Sequence, residues 1–200
     1  VDDLIAIHGG NEIFTSRLEK LFTESSEITG DNVSADITGL IGQYAHGNEP
    51  SHHIAYMFNH ANQPWRTQYW ARHIMDTQYN TTPNGLSGNE DCGQMSAWYV
   101  LSSIGLYPMN PASGEYEIGS PIFEKSTIKL PENKTFMIEA EYVSHTNFYI
   151  QSATLNGKPF TKTTLSHQDI LKGGTLHFVM GNKPNKNWGI KNKAQQLTKK

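Results

Sequence analysis

The chain has 200 residues, of which 36% are hydrophobic and 18% charged, and its net charge at pH 7 is −3. These proportions are typical of a folded soluble protein, and no apolar stretch approaches the ~18 residues needed to cross a bilayer. The single Cys92 excludes an internal disulfide framework and a cysteine-cluster metal site.

Helices are predicted in the first half of the chain, where apolar residues recur at helical spacing. Residues 2–22 predict two helical pieces, because Gly9 and Gly10 interrupt the run and Asn11 can cap the second piece. The connections between helices are short, which predicts antiparallel neighbours. Further helices are predicted over residues 37–44, 54–61, 64–75 and 94–104.

Strands are predicted after Pro108, where short runs rich in β-branched and aromatic residues are separated by turn residues. Asn156-Gly157 is a typical hairpin turn between two such runs. We therefore expect an antiparallel β region after the helices, and the fold class is α+β. The predicted strands are residues 116–118, 127–130, 136–141, 148–154 and 175–180.

The charges are divided unevenly along the chain. There are 15 acidic and 4 basic side chains up to Glu124, but 4 acidic and 12 basic ones beyond it. This shift predicts a boundary near residue 124, with a helical part over 1–124 and a β part over 125–200. The basic residues of the second part, up to Lys199 and Lys200, are scattered lysines without a binding motif, so no nucleic-acid partner is expected.

Two polar stretches, residues 46–53 and 85–94, each lead into a predicted helix. Loops held by helix ends can bring polar groups together around a small molecule without burying them in a core. Acidic, amide and aromatic side chains in this region suit a carbohydrate better than a phosphate, and no glycine-rich phosphate loop is present. Trp98 follows the apolar side of its helix and is expected in the core.

Asp91 has two readings. With Gln94 three residues later, it matches the pattern of a helix N-cap and capping box. The same position at a helix start would keep its carboxylate ionised and able to accept a proton from water. Glu90 beside it faces either substrate hydroxyls or solvent. The residues alone leave the choice between cap and base open.

Four histidines lie between residues 46 and 60, which raises the question of a zinc site. Adjacent His52 and His53 would point about 100° apart on a helix, and the chain has no HExxH pattern. Neutral imidazoles that hydrogen-bond to hydroxyls or carboxylates fit this spacing better than zinc ligands do.

Asn48 and Glu49 precede Pro50, a residue common in the first turn of a helix, so Asn48 is either a cap or a ligand. Amide, carboxylate and carbonyl oxygens gathered together are what a hard cation such as calcium requires. Both interpretations remain open from the residues.

Five motifs together resemble glycoside hydrolase family 92. They occur in the family's order, and weaker similarity extends from Gly9 to the segment that begins at Gly173. The resemblance implies an inverting, calcium-dependent exo-α-mannosidase with an N-terminal β-sandwich and an (α/α)6 barrel. The chain would then hold the last barrel helices and the β region that packs back on the sandwich. The motifs are GQYAHGNEPSHH from Gly42, QPW from Gln63, GLSGNEDCGQMSAWYV from Gly85, GLYP from Gly105 and YEIGSPIF from Tyr116.

The resemblance also implies residue roles. Asp91 matches the general base of the GNED motif, whereas the general acid is a Glu expected upstream of Val1. Many family members carry Asp at the position of Asn89, which changes the charge of the base loop. The implied calcium ligands are Asn48 and Gln94. The implied substrate-binding residues are Glu49, His52, His53, Glu90 and Asn89.

The expected partner is a mannose-containing glycan, together with the N-terminal domain of the same protein. A chain that begins at Val1 without a leader segment is expected to be an excised or processed piece, inactive alone because the acid is upstream. The whole protein is expected to be secreted or periplasmic. Two alternatives are a non-catalytic carbohydrate-binding module and a structural domain in which these polar residues are caps and packing groups.

Overall fold

The computed structural model describes residues 1–34 and 37–190. Helix α1 (Asp2–Ile7) and helix α2 (Asn11–Thr23) are separated by Gly9 and Gly10, whose φ angles are 87° and 105°. The predicted hinge is thus confirmed, although Gly10 rather than Asn11 is the N-cap of α2. The other helices of the described residues are α3 (Met57–His60), α4 (Pro64–Gln78), α5 (Gln94–Ser103) and α6 (His167–Leu171).

The prediction of a helix over residues 37–44 was wrong. Strand β1 (Leu40–Ile41) and strand β2 (Tyr44–Ala45) form a small antiparallel hairpin there. Gly42 turns the hairpin with a φ of 60°, and a Cβ at this position would lie 2.6 Å from the Leu21 carbonyl oxygen on α2. Close packing against α2 and a left-handed turn favour the hairpin over the helix that the apolar spacing suggested.

The β region contains a five-stranded sheet in the order β5-β6-β10-β7-β8. Four of its strands match predicted runs, whereas the two-residue strand β8 was not predicted as a strand. Asn156 and Gly157 form the β7–β8 turn, as predicted, with φ angles of 51° and 75°. One pair departs from the antiparallel prediction, because β10 inserts between β6 and β7 and runs parallel to β6. The strands are β5 (Lys125–Lys129), β6 (Thr135–Glu141), β7 (Tyr149–Leu155), β8 (Lys158–Pro159) and β10 (Gly174–Gly181).

A three-stranded sheet joins the two halves of the chain. Strand β4 (Glu115–Ile118) lies between β3 (Leu106–Tyr107) and β9 (Thr164–Ser166), and both pairs are antiparallel. The sheet therefore contains residues from both sides of position 124, and the division at that position stays a prediction. Residues 191–200, including Lys199 and Lys200, lie outside the described residues.

Two apolar clusters form the core. The first contains residues of helices α1 to α5 and of the β1–β2 hairpin, and in it Phe22 stacks on Trp70 with ring centroids 4.5 Å apart. The second lies between the β strands and includes Phe136 and Phe178, both fully buried. In the described residues, no helix is long and apolar enough to span a membrane.

Buried polar contacts connect the helical part to the strands. The Glu117 carboxylate on β4 accepts hydrogen bonds from the Asn59 amide and the His60 ring, each 2.8 Å long. On α4, the Gln68 side-chain oxygen accepts from the Ile150 N–H of β7 at 3.0 Å, and the Arg72 guanidinium donates to a backbone carbonyl after β4. These bonds satisfy groups that would otherwise be buried without partners, and they hold the first core against the second.

Candidate active site

The two polar loops meet because glycines allow their backbones to touch. Gly47 donates its N–H to the Thr38 carbonyl at 3.1 Å. A Cβ at Gly47 would lie 1.9 Å from the Thr38 hydroxyl, and one at Gly88 would lie 2.7 Å from the Gly47 carbonyl oxygen. Ser87 fixes the second loop by donating to the Gln78 side chain at 2.6 Å. Only glycine fits at this crossing, which brings residues 46–53 next to residues 85–94.

A buried histidine supports the first loop. His46 is fully buried, with Nδ1 2.8 Å from the Tyr44 hydroxyl and Nε2 2.7 Å from the Tyr79 hydroxyl. Tyr79 donates its proton to the Met95 carbonyl, so it accepts from His46 Nε2–H, and Nδ1 accepts from Tyr44. Burial, with a smaller contribution from His52, lowers the pKa of His46 to about 3, so the ring is neutral at pH 7.

His52 connects this support to the second loop. Its Nε2 donates to the His46 carbonyl at 3.0 Å, and its Nδ1 accepts from the Gln94 side-chain amide at 3.1 Å. The two imidazole rings stack 4.7 Å apart, and Trp98 donates its indole N–H to the His52 carbonyl at 3.0 Å. Burial lowers the pKa of His52. Both ring nitrogens of His52 are thus bound within the protein, and its tautomer is fixed.

Asp91 does not cap helix α5. The N-cap is Gly93, which has no side chain of its own with which to cap the helix. Asp91, Cys92 and Gly93 form a left-handed turn with φ angles of 48°, 57° and 98°. Two consecutive non-glycine residues in this conformation cost on the order of 1 kcal/mol or more each, and strain of this kind is concentrated at functional sites. The cap interpretation of Asp91 was therefore wrong, and its exposed carboxyl is not used by the helix.

The carboxyl of Asp91 touches the carboxyl of Glu49 from the other loop. This hydrogen-bonding contact raises the pKa of Asp91, with further contributions from partial desolvation and from the charges of Glu49 and Glu90. Glu49 Oε1 is buried and has no hydrogen-bond partner. Two neighbouring carboxyl groups favour a shared proton over two full charges, and one of them can take a proton from water.

The other predicted site residues lie around this pair. Asn48 is the N-cap of the short 3-10 turn Glu49–Ser51 but makes no side-chain capping bond, so the cap interpretation fails for this residue too. His53 is half-buried and Asn89 is exposed. Gln94 donates a hydrogen bond to His52.

A hard cation fits the oxygen groups present. The buried Glu49 oxygen without a partner and the uncapped Asn48 amide are oxygen donors of the kind calcium takes. Within residues 1–34 and 37–190, no three His, Cys, Asp or Glu side chains gather closely enough to hold a metal by themselves. Amide and backbone oxygens would therefore have to complete the ligand set.

Sequence reasoning missed the residues that support the site. Tyr79 binds His46 from 33 residues further along the chain, Tyr44 binds it from two residues before, and Thr38 fills the space above Gly47. No short motif signals these contacts. Trp98, expected in the core, is fully buried and stacks parallel to Tyr79.

Carboxyl, amide and imidazole groups gathered where two loops cross define a polar site of the kind that binds a small hydroxyl-rich molecule. The model of the glycosyl hydrolase family 92 catalytic domain matches residues 1–182. The chain belongs to this family, which confirms the predicted resemblance, and it is a partial glycoside hydrolase domain.

Solved structures of the family resemble this fold closely. A family GH92 α-mannosidase from Bacteroides thetaiotaomicron in complex with mannoimidazole is 45% identical, with a TM-score of 0.85, and the match covers 91% of this chain and 24% of that one. A GH92 inverting mannosidase from the same species is 39% identical, with a TM-score of 0.81, over 94% of this chain and 26% of that one.

A curated relative, an uncharacterized secreted glycosidase of Arthroderma benhamiae, is 37% identical over 146 residues. The match covers 72% of this chain and 19% of that protein. The chain thus spans about a quarter or less of the length of these relatives.

Proposed function

We propose that this chain supplies the general base and part of the sugar-binding site of an inverting, calcium-dependent exo-α-mannosidase that removes terminal mannose from glycans. The observation that carries the proposal is the contact between the Asp91 and Glu49 carboxyls at the crossing of two loops. Family membership and the mannosidase names of two solved relatives support the substrate class.

Asp91 acts as the general base in this proposal. An inverting glycosidase needs one carboxylate to remove a proton from water while a carboxylic acid on the other face of the sugar protonates the leaving oxygen. Asp91 is exposed in a left-handed turn and is not used as a cap, so its oxygens are available to water. Glu49 raises the pKa of Asp91, which strengthens its carboxylate as a base.

The general acid that donates this proton would lie in the part of the protein upstream of Val1. The isolated chain would then bind sugar weakly and have no turnover, because proton donation to the leaving group is missing. Contacts with the N-terminal domain of the same protein would complete the site.

The sugar is held by polar groups around the base. Glu49, His53 and Asn89 offer carboxylate, imidazole and amide groups for mannose hydroxyls. His52 contributes indirectly, because its ring nitrogens are bound to the His46 carbonyl and to the Gln94 amide.

Calcium would be held by Asn48 and by the side-chain oxygen of Gln94, which the bond from the Gln94 amide nitrogen to His52 leaves for a cation. When bound, calcium supplies a positive charge that orients and polarises sugar hydroxyls. We also propose that the whole protein is exported, as the name of the curated secreted relative suggests.

The test is made on the full protein that carries this chain, with an aryl α-mannoside and a mannose disaccharide as substrates. Asp91→Asn is expected to lower kcat by about a hundredfold or more, as loss of a general base does. Asp3→Asn, an exposed acid on α1, is the matched control and should leave kcat unchanged.

Two further measurements complete the test. A calcium chelator should abolish activity, and added calcium should restore it. Binding of mannose without turnover in the full protein would instead support a carbohydrate-binding module, and full activity of Asp91→Asn would contradict the assignment of the base.

A further inference from the structure

Glu90 was expected to bind substrate, but its carboxylate points back at its own helix. Oε1 accepts the backbone N–H of Ser96, in the first turn of α5, at 3.1 Å. A Cβ added to Gly93 would lie 3.9 Å from Oε2, so the other oxygen lies over the glycine that starts the helix. Both oxygens of the Glu90 carboxylate therefore lie against the start of α5.

Several donors hold this carboxylate in its charged form. The pKa of Glu90 is lowered by hydrogen bonds from the Ser96 hydroxyl, from the Ser96 N–H and from the Gly93 N–H. A negative group at a helix N-terminus is also favoured by the partial positive charge of the unpaired N–H groups. Glu90 does the capping that the sequence pattern assigned to Asp91.

The chain between Glu90 and the helix is short and strained. Asp91, Cys92 and Gly93 all have positive φ angles, and the turn is closed by backbone bonds from Gln94 N–H to the Asp91 carbonyl and from Met95 N–H to the Glu90 carbonyl. A left-handed turn at two non-glycine residues persists only when its surroundings determine it. The side chain of Glu90, which precedes this turn, is hydrogen-bonded to Ser96, which follows it, so the two ends of the turn are held together.

We propose that Glu90 is a positioning residue for Asp91: by binding the start of α5 it maintains the left-handed turn that presents the Asp91 carboxylate to water and to Glu49. The proposal rests on the proposed role of Asp91 as base. It replaces the expectation that Glu90 contacts the sugar, and it predicts an effect on kcat rather than on KM.

The test uses the full protein and the variants Glu90→Ala and Glu90→Gln. Glu90→Ala removes the acceptor and should lower kcat by about tenfold to a hundredfold, as small misplacements of catalytic groups do, with KM changed less than about twofold. Glu90→Gln keeps an oxygen that can accept from Ser96 N–H, and it should restore most of kcat. Rescue by the amide distinguishes positioning from a charge contact with the sugar.

The matched control is Ser166→Ala. Ser166 caps α6 by accepting the Asp169 N–H at 3.1 Å, on the β side of the molecule. Its loss should lower Tm to a similar extent as Glu90→Ala but leave kcat unchanged. Equal losses of kcat in both variants would show that the effect is general destabilisation and would overturn the proposal.

Two other outcomes are decisive. A raised KM with unchanged kcat in both Glu90 variants would overturn the proposal in favour of a sugar contact. Asp91→Asn, measured in parallel, tests the proposed function by itself: if it retains kcat while Glu90→Ala loses it, the base assignment fails and the positioning of Asp91 fails with it. A loss of kcat in Asp91→Asn with full activity in Glu90→Ala overturns the positioning role alone.

Discussion

Glu49 lies in the loop before α3 and Asp91 in the loop after α4, yet their carboxyls are in hydrogen-bonding contact. The contact exists because the loops cross at Gly47 and Gly88, where any side chain would collide with a backbone or a hydroxyl. Two acids placed together repel each other when both are charged. This repulsion lowers the stability of the protein and raises the proton affinity of the Asp91 carboxylate.

The first prediction follows from this repulsion. Contact with Glu49 raises the pKa of Asp91 above 3.8, so the folded state binds the proton more tightly than the unfolded state does. The Asp91–Glu49 contact therefore stabilises the folded protein fully below pH 3.8. This stabilisation is lost as the pH rises through the higher pKa that Asp91 has in the folded state. Asp91→Asn removes the charge, keeps the shape and tolerates the left-handed conformation. We expect it to raise Tm at pH 7.

Thermal unfolding of the chain at pH 7 and at pH 3 checks this prediction. The gain of Asp91→Asn should shrink at pH 3, where the carboxyl is largely protonated in both states. Asp3→Asn, which changes an exposed acid away from Glu49, should show no such pH-dependent gain. A lower Tm for Asp91→Asn at pH 7 would contradict the repulsion.

The second prediction concerns the buried support under the site. His46→Ala leaves the hydroxyl of Tyr44 without its partner and opens a cavity beside Trp98. We expect the free energy of unfolding to fall by about 2–4 kcal/mol. Urea unfolding measures it, with His145→Ala at an exposed position as the control, for which we expect less than about 0.5 kcal/mol.

The third prediction is a pH dependence of stability from the same residue. The pKa of His46 is lowered from 6.5 to about 3 in the folded protein, so the unfolded chain binds a proton first as pH falls. His46 therefore makes its full contribution to the free energy of unfolding above pH 6.5. Below pH 6.5 this contribution falls by up to about 1.4 kcal/mol per pH unit, until the pH approaches 3.

His46→Gln should remove this contribution. Denaturant midpoints measured between pH 7 and pH 4 should then fall less steeply for the variant than for the unchanged chain, although the lowered pKa of His52 keeps part of the slope. An identical slope in both proteins would show that His46 is protonated in the folded state.

The fourth prediction separates crowding from backbone conformation at the loop crossing. Gly88 and Gly157 have nearly equal φ angles of 76° and 75°, but a Cβ at Gly88 meets the Gly47 carbonyl oxygen at 2.7 Å, whereas one at Gly157 meets nothing within 4 Å. Gly157→Ala should cost about 1 kcal/mol, the price of the left-handed conformation alone.

Gly88→Ala carries the same conformational cost and must also push the two loops apart. We expect it to cost at least about 1 kcal/mol more than Gly157→Ala, within the range for overpacked sites. Urea unfolding of both variants is the measurement. Equal losses would mean that the loops separate without cost and that the crossing does not hold Asp91 beside Glu49.

Most of the secondary structure could be predicted from the sequence because it depends on local pattern. The apolar spacing of α2, α4 and α5 and the Asn156-Gly157 turn act within a few residues, and these elements form where expected. The motifs around Asn48 and Asp91 were also sufficient to predict the family, which the match over residues 1–182 confirms.

The tertiary structure decided the rest, because long-range contacts outweigh local propensity there. Packing of Gly42 against α2 turned a predicted helix into a hairpin, and insertion of β10 beside β6 made one strand pair parallel. At the site, the sequence alone placed an acid next to a helix start and left its role open. The fold assigns the helix contact to Glu90 and leaves Asp91 exposed beside Glu49, since only the crossing of two distant loops brings these carboxyls together.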